Sequence, residues 1–404
     1  MGTFLVFALA YFLAALLRAV TATLAPSFSA EFALGAADLG LLAGAYFLGF
    51  ALLQLPLGVA LDDLGPRRVE VGLLVLALAG CAVFAAAGGF GQLVFGRVLI
   101  GMGVAACLMS PLTFFRLHWR PALQLRANSW MLMTGSLGMV ASTVPVQMLL
   151  PLWGWRGLFW CLCALLAIAA AALWLWLPAD GARRVRPTGP RPARYAEIVR
   201  HPQFVRLAPV GLLLHGGLVA MQALWIGPWL TQVCGLSPRQ ASQGLLLVNF
   251  GMLCAFLAWG LAMPWLLRRG LSVFRLLAWG LPVSLALLLL IAMLGEAAQA
   301  GLWMLWCVAT SLVTLAQPAL AQSFPAQMAG RVLSAYNLAI FIGIFLLQWG
   351  MGAAIDGLQA AGVDAARAYR LTIAALAGLA LLSYLWFVGL AEGCAHNRAH
   401  TDTT

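Results

Sequence analysis

The sequence predicts an all-α integral membrane protein with twelve transmembrane helices arranged as two bundles of six. Apolar stretches of about twenty residues, the number needed to cross a hydrocarbon layer about 30 Å thick, recur from Phe4 to Leu390. Hydrophobic residues make up 63% of the 404 and charged residues 9%, with a mean hydropathy of +0.96. A dozen such stretches would need more buried core than a soluble domain of this length possesses, which excludes the soluble alternatives. The basic residues between stretches are all arginine, lysine being absent. In a soluble protein the formal charge of +11 would suggest a nucleic-acid partner. Here it is an orientation signal, because arginines gather in the loops kept in the cytoplasm.

With Gly, Pro and charged residues marking the breaks, the first six helices fall at 3–25, 38–60, 69–88, 91–115, 127–149 and 157–177. The second six fall at 204–226, 240–265, 271–294, 300–322, 331–355 and 368–390. Helix 1 lacks a basic leader and a convincing cleavage site, so it is a permanent helix and not a removable signal peptide. Helices 2 and 3 are separated by the charged run from Asp62 to Arg68, and helices 4 and 5 by Arg116, Arg120 and Arg126. The long polar interruption 178–203 carries Pro187, Pro190 and Pro192 near the midpoint of the chain. It has the composition of a cytoplasmic linker between an N-terminal bundle (1–177) and a C-terminal bundle (204–404) with a short cytoplasmic tail. With both termini inside, Arg97, Arg156, Arg239, Arg367 and Arg370 fall outside, and roughly three times as many arginines fall inside. An odd helix count would scramble that asymmetry.

Weak internal echoes support two related halves. Arg120-Pro121-Ala122 with Arg126 and Asn128 is loosely repeated by Pro325-Ala326 with Arg331 and Asn337, and Gly58 to Arg68 by Gly260 to Arg269. In such architectures a substrate site sits between the bundles near the bilayer midplane.

The sharpest local motif is Gly58-Val-Ala-Leu-Asp62-Asp63-Leu-Gly65-Pro66-Arg67-Arg68. It resembles the loop signature of the major facilitator superfamily, Gly-x-Leu-Ala-Asp-Arg-x-Gly-Arg-Arg, with Asp63 where the family has a basic residue. The bland alternative is an ordinary charged turn. Physically, Gly58 permits close helix approach, Gly65 permits a tight turn, and Asp62 can face a helix N-terminus or a cation of the other half. In helix 4, Arg97-Val-Leu-Ile-Gly101-Met-Gly103 is similar to the family's Arg-x-x-x-Gly-x-Gly pattern. Arg97 then either points into the bundle with Gly101 or snorkels to the outer interface. Gly58, Asp62, Gly65, Arg67, Arg68, Arg97 and Gly101 are the expected conformational gate. Helix 5 has Gly135, Gly138 and Pro145 but not the glycine–proline spacing of the superfamily's antiporters.

Arg18 is the most informative charge. It lies well inside helix 1, where a charge costs about 2.5–3.5 kcal/mol on insertion scales, and no Asp or Glu sits deep in any expected span. The segment from Arg18 to Pro26 resembles helix 1 of organic-anion members of the superfamily, in which an arginine eight residues before a proline is associated with substrate. Leu17 replaces the acid that often precedes it. Gln54-Leu-Pro56-Leu-Gly58 strengthens the comparison. Other polar and aromatic positions share helix faces: Phe47, Phe50 and Gln54; His215 and Gln222; Asn337, Phe341 and Gln348. Tyr11 falls seven residues before Arg18. The candidate substrate contacts are therefore Arg18, Tyr11, Gln54, Phe50, His215, Gln222, Asn337 and Phe341, with interhelical packing as the alternative for each group. His215 is the histidine that could carry a proton.

The eight cysteines form no CxxC pair or metal-ligand spacing and read as packing residues. A GxxxxGK[ST] loop and a nucleophile–base set are both missing, so no enzyme activity, cofactor, metal or nucleic-acid partner is expected. The resemblance implies a monomeric secondary transporter in a bacterial inner membrane, working by alternating access. The first expectation is a small organic anion coupled to H⁺. The alternative is efflux of an amphipathic metabolite or drug, and the minor alternative a receptor that binds without translocating.

Overall fold

The computed structural model describes residues 2–178, 195–325 and 328–401. All regular structure among the described residues is helical. Ten helices there are long and apolar enough to cross a membrane, and two shorter apolar helices complete the set. The first half holds α1 (Gly2–Phe32), α2 (Ala36–Leu64), α3 (Pro66–Ala85), a two-piece α4 (Phe90–Gly103 and Met109–His118), α5 (Pro121–Ala141, resumed over 144–153) and α6 (155–176). Gly154, at φ 62° and ψ 171°, separates α5 from α6 in a conformation that a side chain would disfavour. The second half holds α7 (Pro202–Val233), α8 (Pro238–Arg268), α9 (Val273–Leu294), α10 (Ala300–Gln322), α11 (Ala329–Ala360) and α12 (Ala365–Thr401). Most of the expected linker lies outside the described residues. Its described end contains a short helix, Tyr195–Arg200.

Two crossings are less regular than their hydropathy suggested. The α4 segment breaks at 104–108, where tight turns such as Cys107 N–H to Val104 C=O interrupt the helix. Pro111, at the start of the second piece, has no N–H to continue the ladder. In α7, three wide π-type turns occupy Val210–His215, Met221–Trp225 and Trp229–Val233, the first and last directly after Pro209 and Pro228. Proline removes an i→i−4 bond, and the ladder re-forms at longer range.

Within the first half, α3 packs on α4 and α6, and α1 on α5 and α6; within the second, α8 packs on α10, α9 on α12 and α7 on α11. The halves meet mainly along α2 and α11, with smaller contacts of α1 on α7 and α5 on α8. The α2–α11 seam is backbone against backbone. A Cβ on Gly40 would overlap the Gln348 carbonyl oxygen, and one on Gly352 the Ala36 carbonyl oxygen. Small residues at helix interfaces permit such approach and gain dispersion contacts where lipid offers no hydrophobic advantage. An even number of crossings puts both chain ends on one face, called here the terminal face.

Candidate functional site

The run Leu13–Ala25 of α1 is buried on every side except at Arg18. A helix enclosed all round has no lipid-facing stripe, so the space its one accessible side chain reaches is internal, between the halves. Arg18 Nη2 lies 3.4 Å from Met139 Sδ on α5, and among the described residues no carboxylate pairs with it. The neighbouring hydroxyls of Tyr11 and Tyr46 lie within its electrostatic reach. Tyr11 is half-buried against Gly135 of α5.

An amide chain from the second half closes on the same point. Gln222 Nε2 of α7 donates to Asn249 Oδ1 of α8 at 2.8 Å, and Asn249 Nδ2 donates to the Met139 carbonyl at 3.4 Å. Four helices, α1, α5, α7 and α8, thus converge on Met139 with one guanidinium and two carboxamides. Further along the seam, Phe341 of α11 packs on Phe50 at 4.5 Å between ring centroids and on Phe47 at 6.2 Å. The other expected contacts are placed differently. Asn337 accepts from Gln317 Nε2 at 2.7 Å, within the second half. His215 is half-buried, with no partner for Nδ1. Gln54 is buried, its Oε1 without a partner, so it is packed within α2's surroundings in this conformer.

Arg97 departs from the outer-interface alternative and points into the bundle with Gly101. It is fully buried inside the first half, where its Nη1 donates to the Leu17 carbonyl at 2.7 Å and its guanidinium lies 5.1 Å from the Tyr46 ring centroid. Helix α4 can bring it there because Gly101 lies against the Tyr46 backbone with no room for a Cβ. Arg97 therefore braces the backbone immediately before Arg18.

The two ends of the α2–α11 seam differ. On the face opposite the termini, Asp356 of α11 accepts from the Ala36 and Ala37 backbone N–H groups at 2.9 and 2.7 Å, capping the start of α2. A charged acceptor at a helix N-terminus is favourable on both hydrogen-bond and dipole grounds. Beside it lies a cleft of about 400 Å³ lined by Thr23, Ser29, Gly227, Thr231 and Asp356. At its base, Ala22 and Gly227 bring α1 and α7 together one turn beyond Arg18.

At the terminal end, Gly58 has nothing within 4 Å of where its Cβ would be, contrary to the close approach expected of it. Gly65 does make the turn, at φ 85°. Arg67 donates to the Trp174 carbonyl at 2.5 Å and lies over the Trp174 ring at 4.3 Å, tying the loop to α6. Arg68 is exposed, and the Asp62 side chain lies outside the described residues. The expected absence of deep carboxylates has one exception. Glu70, expected at the edge of helix 3, is fully buried in α3.

The residues that the sequence reading missed are Met139, Asn249, Asp356 and Glu70. Asn249 alone had a legible signal, a lone carboxamide in the apolar run of α8. Among the described residues no group of three His, Cys, Asp or Glu side chains could hold a metal ion.

Comparison with known proteins agrees with this architecture. The chain is 31% identical over 151 residues to the putative uncharacterized transporter YgaY of Escherichia coli K12, covering 37% of this chain and 36% of YgaY. It is 27% identical over 173 residues to the inner membrane transport protein YajR of the same organism, covering 42% of this chain and 37% of YajR. The matches therefore span little more than a third of those relatives. In fold it is similar to a bacterial homologue of the human lysosomal transporter Spinster in an inward-facing conformation (TM-score 0.76, 18% identity, 96% of each chain). It is also similar to a D-xylose–proton symporter (TM-score 0.76, 15% identity, 96% of each chain) and to the nucleoside transporter NupG (TM-score 0.77, 12% identity, 96% of this chain and 99% of that one). These likenesses are of fold. Residues 7–348, most of the sequence, match the Major Facilitator Superfamily, and the chain belongs to that family.

Proposed function

We propose that the protein is a secondary active transporter that moves a small organic anion across the membrane by alternating access, coupled to H⁺. The observation that carries this reading is Arg18. It is the one accessible residue in an enclosed stretch of α1, among the described residues it lacks a carboxylate partner, and it shares Met139 with carboxamides contributed by the other half. An anion entering that space gains a forked, charge-assisted pair with the guanidinium, while Gln222 and Asn249 can re-aim their amides toward it. Because the amides belong to α7 and α8 and the guanidinium to α1, a ligand held by both draws the halves together. A ligand that binds one arrangement better shifts the population toward it.

In this conformer Asp356 and the Ala22–Gly227 crossing join the two halves between Arg18 and the opposite face. The arginine distribution supports placing the terminal face in the cytoplasm. On that assignment these contacts lie on the outer side of the site, with residues 1–177 and 204–404 as the two moving bundles.

The test is thermal stabilisation of detergent-purified protein by a panel of mono-, di- and tricarboxylates and of quaternary ammonium cations, since ligands that bind the folded state raise its stability. The expected result is stabilisation by a carboxylate. Arg18→Ala should weaken that binding by about 10- to 100-fold, the loss typical of a hydrogen bond to a charged group, and Arg18→Lys should weaken it less. Equal affinity in the folded Arg18→Ala protein would remove Arg18 from the site. A second reading, efflux of an amphipathic cation or metabolite, is favoured by the apolar lining of Phe50, Phe341 and Met139. Stabilisation by the quaternary ammonium compounds in place of the carboxylates would establish it.

A further inference from the structure

Glu70 belongs neither to the Arg18 region nor to the α2–α11 seam. It sits in the second turn of α3, is fully buried, and neither carboxyl oxygen has a hydrogen-bond partner. An ionised carboxylate in that setting carries a penalty of several kcal/mol after relaxation, and proteins avoid it by keeping the group neutral or by supplying a counter-charge. Among the described residues none hydrogen-bonds to the carboxyl oxygens and no ion pair to them is formed. The side chain packs where α4 is broken. Ser110, at the start of the second piece of α4, lies beside the carboxyl while its hydroxyl turns to the Pro66 carbonyl at 3.3 Å. Cys107, inside the break, is the titratable thiol within electrostatic reach of Glu70. Leu57 and Leu61 of α2, Val69 of α3 and Ala105 and Ala106 of the break form a small apolar cluster there, separate from the main core.

Among the described residues, the other charged groups on the elements around α3 are turned elsewhere. Arg67 is engaged with Trp174 of α6, and Arg97 of α4 with Leu17 and Tyr46. Cys163 of α6 sits against Leu78, two turns further along α3. Arg68 and Asp63 are exposed on the terminal face, as are Arg116 and His118 at the far end of α4 apart from the latter's Phe114 contact.

We infer that Glu70 is a proton-binding site, supplied from the terminal-side aqueous phase, whose occupancy favours the conformer closed at Asp356. The inference rests on the alternating-access reading but not on H⁺ being co-transported. Rearrangement of the second piece of α4 against α3 must alter the surroundings of Glu70, because that piece and the break supply its wall. Any alternative conformer that admits water or a cation to the carboxyl lowers its proton affinity. Linkage then requires that the present conformer, which holds the proton more tightly, gain population as pH falls.

The experiment measures the distance between spin labels at Val59→Cys and Gly330→Cys, at the terminal ends of α2 and α11, on a background without reactive cysteines, from pH 9 to pH 5. Both positions have room for a label. In otherwise wild-type protein the ratio of the present conformer to the alternative should rise toward low pH, by at most about tenfold per pH unit, the limit for one proton. Glu70→Gln should fix the ratio at its low-pH value throughout, and Glu70→Asp should retain the pH response. Infrared spectra should show a protonated-carboxyl stretch at neutral pH that Glu70→Gln lacks. A wild-type pH response surviving in Glu70→Gln, a wild type without any response, or absence of the carboxyl band would each overturn the inference. A pH response lost in Glu70→Gln while wild-type protein in liposomes shows no proton-driven carboxylate uptake would instead support Glu70 and refute the coupling proposed above.

Discussion

The two ends of the α2–α11 seam are made of different materials. At the end opposite the termini, one carboxylate, Asp356, holds two backbone N–H groups of α2, and glycines on both helices press main chain against main chain. At the terminal end lies the conspicuous motif from Gly58 to Arg68, yet Gly58 faces open space and Arg67 is bound to α6 of its own half. The end held by Asp356 thus carries no motif that the sequence advertises, and at the other end Gly58 makes no close helix contact. A latch has to be strong enough to select a state and weak enough to release it. Two modest latches at opposite ends meet that requirement better than one strong one, since a few kcal/mol already shift a two-state population almost completely.

This contrast can be broken in four places. The largest effect is expected from Gly40→Val, whose side chain would collide with the Gln348 backbone. The seam should then fail to close, seen as loss of the short inter-label distance between the opposite-face ends of α2 and α11. Asp356→Ala removes the acceptor for two helix-terminal N–H groups, worth about 1–2 kcal/mol as a cap. It should reduce the closed-to-open ratio at that end by roughly 5- to 30-fold, measured with the same labels. Asp62→Asn should move the equilibrium in the other direction, toward the present conformer, and slow transport with little change in carboxylate affinity. A shift of the same sign as Asp356→Ala would mean that Asp62 does not latch the terminal end. Gly58→Ala should be nearly silent in this conformer, within about 0.5 kcal/mol, so an unchanged melting temperature is expected. A large destabilisation would show that Gly58 is packed after all.

How legible this was from the sequence follows from what the bilayer enforces. Helix positions were readable because hydrocarbon demands a fixed apolar length and satisfied backbone groups. The breaks in α4 and α7 were not, since a bend leaves mean hydropathy unchanged and only Pro111, Pro209 and Pro228 hint at it. Arg18 was visible as a charge without a partner. Arg97 carries the same charge, but periodicity left open whether its helix face points inward, and only the Gly101 contact with Tyr46 decides it. Glu70 lies two residues after Arg68 at the expected edge of helix 3, and nothing in that charged stretch signals how early burial begins on α3. Asp356 lies in an unremarkable Ala-Ile-Asp-Gly stretch, and its partner N–H groups belong to a helix more than three hundred residues away. Sequence spacing carries no trace of such a pair.

The wide turns of α7 bear on how the two halves can be geared together. A π-type turn holds about one residue more than the α-turn it replaces. If one of the three tightens to α-geometry, everything beyond it rotates by about 100° relative to what precedes it. Because the turns at Val210–His215 and Met221–Trp225 are separated by the regular stretch Gly216–Ala220, His215 and Gln222 can be re-aimed independently of each other. Gly227, beyond both, keeps its register against Ala22 when the part of α7 before these turns is the part that rotates. Helix α7 is therefore built less like a rigid rod than like a shaft with three slip joints, whose terminal-side half can turn while its opposite end stays docked.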